Sequence, residues 1–388
     1  MSEHNHSYLP PSGAHVWSKC AAWPRMNERF PQEYDSAAGA EGTAAHWVAW
    51  MMYKTNLPLR LDREITPNGQ VVTDEMIEGG MLLCDTIRSR SELIATHHIE
   101  ERIPIPLISS TCSGTPDWWG VTVEHDHIEI VDYKYGFRFV DEFWNQQGLC
   151  YLAGILDLLC QRWDVVYSEL LDRLTVSFTI VQPRCYYRGS SVRTHSFKAR
   201  EALPYFEHLT KMATLSFAHV PIATTNEHCG YCPGRHACSA LQLAGYTAAE
   251  YSEARVPVEL EAAAAGLELR ILERALAQLN ARVEGLRELT INNIRAGKLV
   301  PYFRVEQGIG RLTWTIPEDQ VTAMGGMFGK DLSKPGVVTP TQAKKLGLDE
   351  VIIRAYSIAP QTSLRLVAEN PSDAARVFGN PTVKEGTN

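Results

Sequence analysis

Apolar residues recur along this chain in two different rhythms. From about 40 to 54, Ala45, Val48, Ala49 and Met52 fall at helical spacing. A second helical pattern runs over 74–95 through Met76, Leu83, Ile87 and Ile94, although Gly79-Gly80 argues against an unbroken helix there. Between 98 and 134 the rhythm shortens. ERIPIPLI, TPDWWGVTV and HIEIVDYK are three β-rich runs, and the polar EHDH between the last two predicts a hairpin over 115–134. A broad apolar helix face returns over about 142–163, followed by predicted strands at 174–181 and 192–197 and a helix at 199–218. Helix, helix, hairpin, helix, strand, strand, helix is the order of an α/β fold, with a mixed central β-sheet flanked by helices.

The pattern changes again beyond residue 218. Residues 219–241 are rich in Cys, His, Gly and Pro, and 257–297 reads as one long helix with Leu272, Leu276, Leu279, Val283 and Leu286 spaced 4-3-4-3, as in a packing helix or a coiled-coil seam. The tail contains the short helical run TPTQAKKLGL and ends, after 370, in a polar stretch predicted to be disordered. Two domains are expected: 1–250, holding the sheet and the cysteine segment, and a mainly α-helical 251–388.

Composition narrows the function. The 388 residues include 45% hydrophobic and 21% charged positions and carry a net charge of −8, which excludes a globally basic nucleic-acid coat. Any contact with nucleic acid must be local. Nine cysteines are an odd number for a disulfide framework, and the N-terminal MSEHNHSYLPPSGAH lacks the charged-then-apolar build of a secretory signal. A reducing cytoplasm is therefore expected, where thiols remain available for metal. No run approaches the roughly 18 to 20 apolar residues that a spanning helix needs, so no membrane role is expected.

Candidate chemistry concentrates in the hairpin. Successive strand side chains alternate faces, so Asp132 and Lys134 point one way and Tyr133 the other, while the hairpin returns Asp117 towards Asp132. Two carboxylates offer oxygens to Mg2+ or Mn2+, the Tyr133 carbonyl lies beside them as a further donor, and an ammonium can orient a water or stabilise developing negative charge. That set suits phosphodiester hydrolysis. Taken alone, D-x-K on a strand is usually a solvated ion pair. Two further features accompany it: His46 in EGTAAH on the first helix, and Gln147 with Tyr151, whose i, i+4 spacing puts them on one helix face.

The order of these elements resembles the RecB-type branch of the PD-(D/E)XK nucleases, in which a helix His, a G-x-x-D Asp, a D-x-K strand and a Q-x-x-x-Y helix build one site. Gly114-Thr115-Pro116-Asp117, Asp132-Tyr133-Lys134 and Gln147 to Tyr151 carry the likeness. The resemblance implies that His46, Asp117 and Asp132 bind the metal, that Lys134 serves the attacking water, and that Gln147 and Tyr151 hold the DNA strand. LPPSGAHVWSKC, EGTAAH, the hairpin and TPTQAKK are also similar to a family of phage and prophage proteins without an assigned function, which would place the protein in a host cytoplasm.

Cys229-x2-Cys232-x5-Cys238 has metal-ligand spacing, with Gly and Pro to bend the backbone round an ion. A fourth thiolate is available at Cys20; His228 or His236 in its place would make a zinc site instead. One Cys before the core and three after it resemble the arrangement of AddB-type and CRISPR-adaptation RecB-like nucleases, where a 4Fe–4S cluster ties the two ends of the domain together. Residues 182–200 add Arg184, Arg188, Arg193, Lys198 and Arg200 among aromatic rings and without a carboxylate, a pattern that suits either phosphate contact with base stacking or a solvated hairpin.

The expected activity is that of a metal-dependent DNA nuclease with little sequence specificity. An exonuclease is favoured, serving phage recombination or replication beside a recombination or single-strand annealing partner, with the oligomeric state open. The rival expectations are a non-catalytic DNA-binding or assembly protein that keeps the fold, and a zinc-stapled processing factor.

Overall fold

The computed structural model describes residues 7–31, 37–55, 65–186, 190–252, 261–309, 312–334, 336–359 and 361–368. Two compact units, Met1–Arg282 and Val283–Asn388, divide the chain, so the boundary falls inside a long helix where 250/251 was expected. The first unit runs α1 (Ala14–Trp17), α2 (Trp23–Arg29), α3 (Ala37–Thr55), α4 (Asp74–Ser91), β1 (Ile94–Ile99), β2 (Ile103–Pro104), β3 (Ser113–Gly114), β4 (Trp118–Thr122) and β5 (His127–Tyr133). It continues through α5 (Gln146–Trp163), α6 (Tyr167–Arg173), β6 (Thr175–Val181), β7 (Val192–Lys198), α7 (Leu203–Ser216) and α8 (Ser239–Ser252), and α9 (Ala262–Arg295) carries the boundary.

Five strands form one mixed sheet in the order β1-β4-β5-β6-β7, flanked by helices as the α/β pattern requires. Every pairing is antiparallel except β5 with β6, which α5 and α6 connect as a crossover. β5 and β6 are central strands, with six of seven residues buried in each, so both faces of the sheet are covered. Alternation divides their side chains between two cores. Ile128, Ile130, Val176, Phe178 and Ile180 pack with Leu149, Leu152 and Leu156 of α5. Val131, Tyr133 and Val181 face the other way, towards Val48 and Ala49 of α3 and Met76, Leu83 and Ile87 of α4. By the same alternation Asp132 belongs to the α5 face.

Three further expectations needed adjustment. α4 is unbroken through Gly79-Gly80: a Cβ on Gly80 would stand 3.1 Å from the Ala49 Cα, so the missing side chain lets α3 and α4 meet. The helix expected to reach residue 95 stops at Ser91, and Ile94–Ile99 becomes an edge strand, half solvated and without an alternating pattern to announce it. In ERIPIPLI only Ile103–Pro104 enters a ladder, because proline withholds an amide from it.

In the second unit Phe303–Ile309 pairs antiparallel with Gln361–Ala368. Short helices at Glu318–Met327, Pro340–Lys345 and Glu350–Tyr356 enclose a small core that includes Val321, Leu332, Val338 and Ile353. The helix in TPTQAKK starts with a reciprocal cap between Thr339 and Gln342, the local signal its sequence carries. The polar end beyond 368 lies outside the described residues. Among the described residues no helix is long and apolar enough to cross a membrane.

Candidate active site

β4 and β5 create the site by running out of backbone partners. Their ladder ends with Trp118 opposite Val131, which brings Asp117 across from Asp132. The Asp117 Oδ2 then accepts the Tyr133 amide at 2.7 Å, its carboxylate standing where a strand carbonyl would otherwise be. On the α5 face, Asp132 Oδ1 accepts from Lys134 Nζ at 3.2 Å and from Gln147 Nε2 at 3.0 Å. Lys134 also donates to Gln147 Oε1 at 3.0 Å, so the amide of Gln147 has one orientation that satisfies both neighbours. Gln147 Nε2 lies 3.0 Å from the Tyr151 hydroxyl, which donates to the Thr115 carbonyl at 3.1 Å. Asn145 starts α5 by accepting from the amides of Gln147 and Gly148, fixing the helix that carries this pair. Gly114 has a steric reason: a Cβ there would lie 2.5 Å from Pro11 Cγ and 2.9 Å from the Tyr151 ring.

His46 completes the group from α3. Its Nδ1 stands 3.5 Å from Asp117 Oδ1, and its ring packs edge-on against Tyr133 with centroids 5.1 Å apart. The structure thus brings together His46, Asp117, Asp132, Tyr133, Lys134, Gln147 and Tyr151. Glu100 is a neighbour that pattern reading missed. It sits at the end of β1 with φ +47°, a left-handed conformation uncommon outside glycine, and donates its amide to the Asp117 carbonyl at 3.1 Å. No periodic signal marks it, because its place comes from the β1–β4 pairing.

Burial sets the electrostatics. It pushes the Asp117 carboxyl up to about 6, against the pull of Lys134 and the Tyr133 amide. Asp132 is raised for the same reason, with Lys134 opposing. Burial works against the Lys134 ammonium, but Asp132 and Asp117 outweigh it and hold its pKa above the usual lysine value. His46 is driven down by burial and then by Lys134, leaving a neutral imidazole at pH 7 with a lone pair to give. Two buried polar atoms of the group stay unsatisfied, the Tyr133 hydroxyl and Asp132 Oδ2. Asp132 Oδ2 is buried and 2.9 Å from Lys134 Nζ, yet it makes no hydrogen bond of acceptable geometry.

Among the described residues no group of three or more His, Cys, Asp or Glu side chains is placed so that it could hold a metal ion as it stands. For Mg2+ that is no obstacle, since it keeps much of its water and is usually held by one or two carboxylates. A neutral imidazole and two carboxylates, one of them with an unsatisfied buried oxygen, are donors of the kind a hard divalent cation takes.

The cysteines gather elsewhere in the same unit. Cys20, Cys229, Cys232 and Cys238 line one small cavity whose remaining walls include Val16, Trp23, Met26 and Leu241, and neither His228 nor His236 lines it. His228 packs edge-on to His15 and His236 to Phe30. Backbone amides already point at sulfur, from Thr224 to Cys20 at 3.4 Å and from Asn226 to Cys229 at 3.2 Å. Burial lifts Cys229 and raises Cys232 to about 11, so without a positive ion these remain thiols.

The basic segment requires a correction. Arg184 and Arg193 do not offer free cations to phosphate. Arg184 is 8% exposed, paired with Glu41 and Glu75 at 2.7 Å each and laid 3.9 Å over the Tyr135 ring. Arg193 is paired with Glu142 at 3.1 Å and donates to the Val140 carbonyl and Gln182. Their carboxylate partners lie far away in sequence, so the local run concealed them. Arg200 pairs with Asp172, Lys198 is exposed, and Arg188 lies outside the described residues.

A family described as "Protein of unknown function (DUF2800)" matches residues 6–372 of the chain. The fold is also similar to a crystal structure of a provisionally named exonuclease from Eubacterium rectale. The likeness has 10% sequence identity and a TM-score of 0.30, and covers 55% of this chain and 87% of that one.

Proposed function

We propose that this chain, which belongs to the DUF2800 family by a match over nearly its whole length, is a metal-dependent DNA nuclease and works as an exonuclease. The observation that carries the reading is the bonded set Asp117, Asp132, Lys134, Gln147 and Tyr151, assembled from two strands and a helix beside the neutral His46. His46, Asp117, Asp132 and the Tyr133 carbonyl would hold Mg2+ or Mn2+, which supplies charge neutralisation at the phosphoryl oxygens and acidifies water. Hydrolysis forms a P–O bond from water and breaks one ester P–O bond, and the departing oxygen takes a proton. Lys134, fixed between Asp132 and Gln147, places an ammonium where negative charge develops. Gln147 and Tyr151 keep that geometry rigid and present polar groups to the strand. Glu100 adds a carboxylate near Asp117.

The four-cysteine cavity supports a 4Fe–4S cluster in the same protein. Its donors would be four thiolates with no imidazole lining the cavity, the all-cysteine set that iron–sulfur clusters take. It would staple Cys20 to a segment more than two hundred residues later.

End-labelled linear and circular DNA, incubated over time with Mg2+ or Mn2+, tests the activity. Linear DNA should be degraded from its ends, and Asp117→Ala or Lys134→Ala should each lower the rate by about a thousandfold or more. Equal degradation by wild type and both variants would reject this site.

A further inference from the structure

We infer that the loop joining β5 to α5, together with Tyr231, is a stacking surface for the bases of a single DNA strand. This rests on the nuclease reading and makes single-stranded DNA, or an unpaired end, the substrate class of that site. The loop reads YGFRFVDEFWN over 135–145, leaves β5 directly after Lys134 and enters α5 just before Gln147. It is therefore anchored at both ends to the residues that would meet the scissile phosphate. Phe137 is 70% exposed, Phe143 60% and Tyr231 64%. Phe137 lies 4.7 Å from the Arg184 guanidinium, and Phe143 packs against Trp144 and His195, so each ring keeps a partner on one side and leaves the rest of its surface open to water.

Charge and position narrow what covers it. The Arg138 guanidinium lies 4.5 Å from the Tyr231 ring centroid, a planar cation stacked on an aromatic face. Arg138 thereby joins the loop to Tyr231 of the cysteine segment, where the ring of His228 packs 4.7 Å from that of His15. Rings and guanidinium together suit bases and phosphates in turn. Every base has a π-face, but a duplex hides those faces and presents phosphates, which call for a cationic track. Arg184 and Arg193, which would have contributed to such a track, are committed to Glu41, Glu75 and Glu142. Continuity with Lys134 favours a nucleic-acid strand over a protein partner.

Fluorescence anisotropy of a labelled oligothymidylate and a blunt duplex of equal length, in Ca2+, tests the surface directly. The wild type should bind the single strand about tenfold more tightly than the duplex, and Phe137→Ala and Tyr231→Ala should each weaken strand binding about tenfold. Phe137→Trp should retain it, and duplex binding should stay within about twofold throughout. Equal affinity for the two DNAs, no DNA binding at all, or unchanged strand binding in the double alanine variant would overturn the inference. Mn2+-dependent hydrolysis of bis(p-nitrophenyl) phosphate needs no stacking, and the loop variants should keep the wild-type rate. No hydrolysis by any of them would sink the nuclease reading, while the anisotropy result would still decide the stacking surface.

Discussion

The carboxylate site and the cysteine cavity are both candidate metal centres, yet they are built in opposite ways. Around Asp132 the chain has already supplied the order: two strand ends, a capped helix and a bonded path from Lys134 through Gln147 to Tyr151 and Thr115. Around Cys229 there are only two short 3-10 turns, Cys229–Tyr231 and Arg235–Ala237, set against an apolar cavity and the distant Cys20. The first geometry exists before its ion. The second is held by scattered hydrogen bonds such as Thr224 to Cys20 and Asn226 to Cys229, so if both sites take metal its loss should cost activity at the first and folding at the second.

The largest effect that could break this contrast is at the cysteines. If the cavity holds the proposed cluster, the purified protein should be brown, and Cys20→Ser or Cys232→Ser should remove that colour and lower Tm by about 10 °C, because the closure of a very long loop is lost. Mn2+-dependent hydrolysis at low temperature should survive. A colourless wild type with stoichiometric zinc, or variants with unchanged Tm, would remove the cluster from the account.

The same contrast explains what the sequence made legible. Asp132, Lys134, Gln147 and Tyr151 could be placed because strand and helix periods fix which side chains share a face, and the sheet honours both periods. Gly79-Gly80 misled because the reason for it lies on another helix, at Ala49. Glu100 escaped because its position follows from strand pairing and carries no periodic mark. Arg184 and Arg193 looked free because Glu41, Glu75 and Glu142 are remote in the chain. Local periodicity was readable, and the resemblance joined Cys20 to Cys229 and His46 to Asp117, while the ion-pair partners of the arginines were not readable.

A smaller effect sharpens the prebuilt half of the comparison. The Asp117 carboxyl is raised from 3.8 to about 6, so its contribution to stability is complete below about pH 4 and lost as pH rises through about 6. Cation binding requires the charged form and reverses that loss. At saturating Mn2+, Tm should rise by about 5 °C at pH 7.5 relative to EDTA, and the increment should shrink through pH 6 and vanish near pH 5. Burial shifts His46 downward, away from the upper end of this window. An increment independent of pH would place the bound ion away from Asp117.

The smallest effect concerns Arg184, which separates a structural cation from a DNA-binding one. Its guanidinium joins Glu41 of α3 to Glu75 of α4 while lying over Tyr135. Both carboxylates are partly solvated, at 35% and 52% exposure, so the ion pairs are worth less than fully buried ones. Arg184→Ala should cost about 1 kcal/mol and lower Tm by about 3 °C, because it also strips a stacking partner from Tyr135. Because it also uncovers one side of the Phe137 ring, 4.7 Å away, single-strand affinity should not fall, and its dependence on salt should not change. Arg138→Ala should show the reverse: little change in Tm, weaker strand binding and a salt slope reduced by about 1. If the salt slope moved with Arg184 instead, the ion pairs would have to open for DNA, and the basic segment would regain the phosphate role that its sequence suggests.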